Sequence, residues 1–336
     1  MITRRGFARA ALGAGVALGA CALASCSSRA PEASDGPQQI QTTFFCFDTV
    51  CTVGGVMDQS VLDAVVSRCE WFEQHLSRTI ETSDVGRINA AGGAPVEVEP
   101  ETAALIEASL GYSRLSGGLF DVTIGAVTRL WDFHEGVVPS PEDITEALSH
   151  VGYEGVCVDG TIVTLDDPLA RIDLGGIAKG FVTDDLVALL ADAGVTSAFI
   201  NLGGNVAVLG EKPDGTPWGI GVRDPFDESG EKSIARVAAT SGSLVTSGLY
   251  ERQFEKDGQS YWHILDPRTG YPVKSDVVSA SVFAERSIDG DGLTKPLFMM
   301  DEAEALAFLE SQDVDGLLVR ADGSIAMTED SGFELL

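Results

Sequence analysis

Ile172-Asp173-Leu174-Gly175-Gly176-Ile177-Ala178-Lys179-Gly180 is the stretch on which the fold turns. An apolar strand ends in an aspartate and a glycine pair, and residues 177–193 continue at helical spacing. A near copy follows, Ile200-Asn201-Leu202-Gly203-Gly204, after which the chain stays extended. The same unit leads once into a helix and once into a strand, so the chain does not alternate as an α/β protein would. Strands then dominate as far as residue 284. Long antiparallel runs mixed with helices predict an α+β fold, with mixed or antiparallel sheets flanked by helices.

Working toward the N-terminus, residues 140–143 read as a helix start, with Ser140 as cap and Pro141 in the first turn. Pro100–Leu115 reads as a helix closed by Gly117-Gly118. Val61, Leu62, Val65, Val66, Cys69 and Phe72 recur at helical spacing across 59–77, and the β-branched and aromatic stretch 42–56 reads as one strand. Hairpins are expected to turn on Asp159-Gly160 and Asp322-Gly323, and a late helix covers 303–312. Residues 42–336 are long enough for a single large domain.

The segment ahead of that domain addresses the protein rather than folding with it. Arg4-Arg5 is a twin-arginine pair, and the run from Phe7 to Ala24 is Ala- and Gly-rich with no acidic residue. Residues 1–25 therefore read as an export signal. Leu23-Ala24-Ser25-Cys26 has the form of a lipobox with Cys26 as the acylated residue, and Leu18-Gly19-Ala20-Cys21 is the alternative. Residues 26–41 lack the apolar content to pack and read as a flexible tether. The expected location is the outer face of the cytoplasmic membrane, reached by the twin-arginine route and held by lipid.

The chain carries 22 basic and 51 acidic residues, a net charge of −29. Such a surface repels nucleic acid and anionic headgroups, so a membrane anchor has to be covalent. An anionic substrate then needs a local positive device, a metal or a lysine. Beyond the leader lie Cys46, Cys51, Cys69 and Cys157, without paired metal spacing. Cys46 and Cys51 are an odd offset apart, which on one strand would point them to opposite faces. The four read as buried thiols.

Three stretches could carry chemistry. The turn Asp173–Gly180 brings backbone N–H groups and Lys179 to a helix start, which suits a diphosphate and suits a tight structural turn equally well. It has neither Walker nor Rossmann spacing. In residues 261–270 a strand delivers His263 to the edge of a Pro267-Arg268-Thr269-Gly270 turn with Asp266 beyond it, an acid–base arrangement. In Ser287–Thr294 and Lys295, carboxylates crowd a short segment that is either a hard-cation site or a solvated acidic turn.

The order of these motifs resembles the ApbE flavin transferases along nearly the whole mature chain. The matching pieces are Ser77, Ser83 and Ile88-Asn89, then residues 117–123, 173–180, 201–204, 240–242, 263–270 and 291–298. The resemblance implies an ApbE-like fold and an enzyme that moves FMN from FAD onto a Ser or Thr hydroxyl of an exported or membrane-associated redox protein, releasing AMP. It implies Mg2+ or another divalent cation on the diphosphate. Carried over by position, Phe47, Thr79, Leu119, Phe120, Asp121, Asp173, Lys179 and His263 would contact the nucleotide. His263 and Asp266 would be catalytic, and Asp291 with the carbonyl of Ala178 would hold the metal. Metal-dependent hydrolysis of FAD to FMN and AMP, and flavin binding without catalysis, are the alternative activities.

Two positions depart from the family pattern. Lys295 stands where a metal-ligating Thr is usual, and an ammonium cannot ligate a cation; either Thr294 substitutes or Lys295 partly replaces the metal charge. Thr79 stands where an aromatic is usual. Asp276 is followed at three and five residues by Ser279 and Ser281, a pattern that matches the flavin acceptor, but alternating burial in a strand would leave neither hydroxyl reachable.

Acylation at Cys26 is the expected state of the mature protein, and mass spectrometry of the membrane-bound N-terminus reads it directly. A soluble product beginning elsewhere would refute the lipid anchor, whereas acyl chains on Cys21 would move only its position.

Overall fold

The structure, a computed structural model, describes residues 38–336. Arg4, Arg5, Cys21 and Cys26 lie outside the described residues. At the centre is a sheet of eight strands that are neighbours in chain order. They are β1 Gln38–Cys46, β2 Thr49–Met57, β3 Ala198–Leu202, β4 Asn205–Leu209, β5 Ser241–Gly248, β6 Val277–Ala284, β7 Asp315–Arg320 and β8 Ile325–Met327. Every neighbouring pair in this sheet is antiparallel. The α+β expectation therefore holds, with antiparallel rather than mixed pairing.

The helices are α1 Gln59–Leu76, α2 Asp84–Ala90, α3 Pro100–Leu115, α4 Gly125–Thr128, α5 Pro141–Leu148, α6 Ala178–Asp192, α7 Ser287–Thr294 and α8 Glu302–Glu310. Alternation along the strands divides the sheet's two faces. Val245 of β5 faces α7, lying 2.5 Å from where a Cβ on Gly290 would sit. The next residue back, Leu244, packs with Ile220, Val222, Val237 and Phe333 of a three-stranded sheet on the opposite side. The largest apolar core joins β2 and β3 to α1, α3 and α6, with Leu62, Val65, Phe72, Leu105, Leu186 and Ile200 buried in it.

Several expectations shift in detail. β1 begins at Gln38, so residues 38–41 pair in the sheet instead of ending the tether. The expected strand 42–56 is a hairpin, reversing at Phe47 and Asp48, whose φ values are 55° and 57°. That reversal uses a two-residue loop with both residues left-handed but no glycine, so the usual turn signal was missing. It also overturns the opposite-faces reading: Cys46 and Cys51 lie on different strands, are both buried, and Cys51 Sγ approaches the Cys46 carbonyl at 3.6 Å. Cys69 is buried as expected, whereas Cys157 is exposed. Ser279 and Ser281 are fully buried in β6, which leaves neither hydroxyl reachable.

The apolar stretch before Asp173 is not a strand. It makes one parallel bridge, Ile124 to Arg171, and the Asn89 side chain serves Ile172 as a partner strand would. Asn89 Nδ2 donates to the Ile172 carbonyl at 2.9 Å, and the Ile172 amide donates to Asn89 Oδ1 at 2.7 Å. The second copy does behave as expected: β3 and β4 form a hairpin whose two-residue loop is Gly203-Gly204, at φ 58° and 101°.

Gly203 is the position where this hairpin is least tolerant. A Cβ there would lie 2.2 Å from Thr49 Oγ1 and would have to adopt a left-handed backbone. Gly203→Ala is expected to lower the unfolding free energy by about 1–3 kcal/mol, measured by urea denaturation. A variant as stable as its parent would mean that β2 and the loop are not packed this way.

Candidate active site

A cavity of about 760 Å³ opens beside the β3–β4 loop and is walled by segments distant in sequence. The β1–β2 turn supplies Phe47, whose left-handed φ of 55° is unusual for a bulky side chain. Its amide is held by Glu73 Oε1 at 2.8 Å. The loop after α1 supplies Thr79, tied to Ser77 by a hydroxyl contact of 2.9 Å. Ser83 anchors this loop, donating to the Ser77 carbonyl at 2.5 Å while its hydroxyl accepts the Gly86 amide as the cap of α2.

Asp173 stands at the wall and is fully engaged. Arg78 Nε lies 3.1 Å from Oδ2, Thr128 Oγ1 donates to the same oxygen at 2.8 Å, and the Gly175 amide donates to Oδ1 at 2.9 Å. Lys179, the second residue of α6, donates from Nζ to the Gly203 carbonyl at 2.9 Å. Burial pulls Lys179 below the ordinary lysine range, while the Asp291 and Glu251 carboxylates oppose the shift.

Asp291 and Lys295 complete this wall from α7. Lys295 Nζ lies 2.6 Å from Asp291 Oδ1, at the helical i, i+4 spacing. Asp291 Oδ2 accepts the Gly180 amide at 2.6 Å and Asn205 Nδ2 at 2.9 Å. The glycine turn is therefore open only in part as a phosphate cradle. The amides of Gly175, Ile177, Ala178 and Gly180 all have acceptors within the protein, so much of the positive charge in the cavity has to come from side chains.

His263 faces the cavity just beyond the strand Gln259–Trp262, its amide held by the Arg252 carbonyl at 3.1 Å. Its Nδ1 is buried and has no hydrogen-bond partner among the described residues. Burial first, then the positive charge of Arg252, presses the imidazole from 6.5 down to about 4. At neutral pH it is uncharged, the form that can accept a proton.

The structure thus gathers Phe47, Thr79, Asp173, Ala178, Lys179, His263, Asp291 and Lys295 around one cavity. It does not bring Leu119, Phe120, Asp121, Asp266 or Thr294 to the wall. Phe120 is buried beneath it, its ring 3.4 Å from where a Cβ on Gly176 would lie. Asp121 staples a turn, accepting the Thr123 amide at 2.7 Å and the Tyr153 amide at 3.1 Å. Asp266 organises the turn after His263 by binding the Arg268 amide and guanidinium, at 2.9 Å and 2.8 Å. Thr294 is buried against Ser247 Oγ at 2.9 Å and cannot take the place of the missing ligand.

A divalent cation does not fit this donor set. Asp291 is the only carboxylate among the residues expected to hold it, and both its oxygens are filled by N–H donors. Ala178 opens α6, so its carbonyl serves the helix ladder and would offer a cation only its second lone pair. Among the described residues no group of three His, Cys, Asp or Glu side chains could hold a metal.

Sequence reasoning missed Arg223, Tyr250, Glu251 and Arg252, which also line the cavity. Arg223 stacks over Tyr250 at 5.3 Å, and Arg252 Nη2 reaches Asp48 Oδ2 at 3.0 Å across the cavity mouth. The available signal was the polar run Tyr250-Glu251-Arg252 directly after a strand ending in glycine.

The chain matches the model of the ApbE family over residues 47–318. It is 34% identical over 322 residues to the FAD:protein FMN transferase of Treponema pallidum (strain Nichols), covering 90% of this chain and 89% of that one. It is 34% identical over 294 residues to the enzyme of the same name from Klebsiella pneumoniae (strain 342), covering 83% and 91%. Among solved structures, the ApbE protein of Thermotoga maritima superposes with a TM-score of 0.81 at 33% identity, covering 87% of this chain and 97% of that one.

The depressed His263 gives a signature in stability. A group whose folded pKa lies below its unfolded value contributes fully above pH 6.5 and loses that contribution as pH falls through about 4. Unfolding free energies of the parent and of His263→Gln should therefore diverge over that window. The parent is expected to lose up to about 3 kcal/mol more than the variant. Parallel pH curves would show that the imidazole titrates normally.

Proposed function

The chain belongs to the ApbE family, and from that premise we propose that it is a transferase moving FMN from FAD onto a Ser or Thr hydroxyl of another protein. What carries the reading is one wall that joins two lysines to an uncharged imidazole in a cavity of about 760 Å³. A diphosphate needs its negative charge balanced, and each ammonium has three N–H donors. Lys179 uses one on the Gly203 carbonyl and Lys295 uses one on Asp291, so both keep donors for phosphate oxygens. Arg252 and Arg223 add positive charge toward the mouth.

In the proposed reaction His263 takes the proton of the acceptor hydroxyl. The oxygen forms a bond to the FMN phosphorus, and the bond from that phosphorus to the bridging oxygen breaks. AMP departs with the electron pair, its charge balanced by the lysines. The neutral state of His263 suits a base but leaves it a weak one, so positioning and charge balance carry most of the rate. Arg252 to Asp48 and Phe47 to Glu73 hold the β1–β2 turn in the cavity wall, the side from which the acceptor is proposed to approach.

The acceptor is proposed to be an exported redox protein, in keeping with the twin-arginine leader and lipobox. Among the described residues no helix is long and apolar enough to cross a membrane; attachment is proposed to be through acyl chains.

Incubation with FAD and a candidate acceptor, followed by intact mass, separates the activities. A flavin-labelled acceptor plus AMP is the expected result; free FMN plus AMP would instead make water the acceptor, and unchanged FAD would leave only binding. His263→Gln should slow labelling by about 10²- to 10⁴-fold with FAD binding nearly unchanged. Labelling at the parent's rate would remove His263 from the chemistry.

A further inference from the structure

We infer that Lys295 is a tethered substitute for a divalent cation at Asp291, so that this chain balances a diphosphate with its own ammonium groups and binds no metal ion there. The inference rests on the diphosphate reading above.

Three observations carry it. Asp291 Oδ1 is held by Lys295 Nζ at 2.6 Å, and the Asp291 side chain is only 2% exposed. Its other oxygen receives two N–H donors, the Gly180 amide and Asn205 Nδ2. A donor hydrogen offers a cation nothing, and its partial positive charge opposes one. Finally, Lys179 lines the same wall, so an entering dication would meet a second ammonium. Asn205 turns its amide nitrogen, a donor, toward Asp291, while its Oδ1 is buried without a hydrogen-bond partner among the described residues.

The geometry also explains why the replacement is tolerable. The four-residue offset across the end of α7 lets the lysine reach its carboxylate without leaving the helix. With its side chain 21% exposed, the ammonium still meets the cavity. It delivers one positive charge where a metal would deliver two, with Lys179 beside it on the same wall. Removing Lys295 would free Asp291 Oδ1 beside the cavity, and a threonine in its place would add a hydroxyl oxygen there, so that oxygen donors replace an ammonium.

The test uses the full chain freed of metal by chelation. Mn2+ is titrated in by monitoring its free-ion paramagnetic resonance, and FAD binding is measured by calorimetry in EDTA and in Mg2+. The parent should leave Mn2+ free and bind FAD equally in both buffers. Lys295→Thr should bind one Mn2+ at least about tenfold more tightly than the parent, lose about tenfold in FAD affinity in EDTA, and regain part of it with Mg2+. One tight Mn2+ per parent chain overturns the inference, and so does FAD binding by the parent only with Mg2+. Should the variant fail to fold, the parent's Mn2+ titration decides by itself. FAD binding in neither buffer would instead refute the proposed function, with the Mn2+ result still deciding the role of the lysine.

Discussion

The Asp291 carboxylate is the point from which the rest of the site is hung. Through Gly180 it caps the start of α6, through Asn205 it holds β4, and through Lys295 it fixes the end of α7. The arrangement is reciprocal. Asp184 on α6 accepts the first two amides of α7, Ser287 at 2.6 Å and Ile288 at 3.0 Å. Each helix thus supplies the anion that the other's N-terminus requires, which satisfies amides that would otherwise be orphaned. The helices can approach this closely because Gly180 has no side chain: a Cβ there would lie 2.6 Å from the Ser287 carbonyl. Burial raises Asp184 to about 6, the cost of holding a carboxylate between two packed helices.

This constraint decides the electrostatics of the cavity. In a chain of net charge −29, an anionic nucleotide has to find a local region of opposite sign. The cross-capped helices bring Lys179 and Lys295 to one wall, and the β3–β4 loop holds Lys179 in place through the Gly203 carbonyl. Of the backbone amides that a glycine-rich turn could have offered, Gly180 is used to join the helices and Gly175, Ile177 and Ala178 are used within the turn itself. Charge recognition therefore passes to side chains, whose protonation and reach depend on burial and packing.

Much of the secondary structure was legible because it rests on local chemistry. Pro100–Leu115 and the Ser140 cap of α5 follow from propensity and capping, and the hairpins at Asp159-Gly160 and Asp322-Gly323 follow from turn residues that favour a left-handed backbone. The β1–β2 turn was not legible, because Phe47 is held left-handed by the hairpin pairing and by Glu73, with no glycine to announce it. The missing strand before Asp173 has a similar cause. Ile172 finds its hydrogen bonds on the Asn89 side chain, a partner 83 positions away that no local pattern records.

Within the site, the sequence alone determined which chemical groups were available: one imidazole beside a glycine turn, a lysine at a helix start, and an aspartate with a lysine four residues on. Helical geometry made the last pair meet, so Asp291 and Lys295 could be placed together from spacing alone. Only the tertiary structure decided which groups share a cavity. It set Asp121 and Asp266 to work as turn staples, buried Thr294 against Ser247, and recruited Arg223, Glu251 and Arg252 from two segments without a motif. The physical reason is that a carboxylate's role is set by the donors that reach it. Those donors come from strands and helices whose approach is fixed by packing across the whole chain.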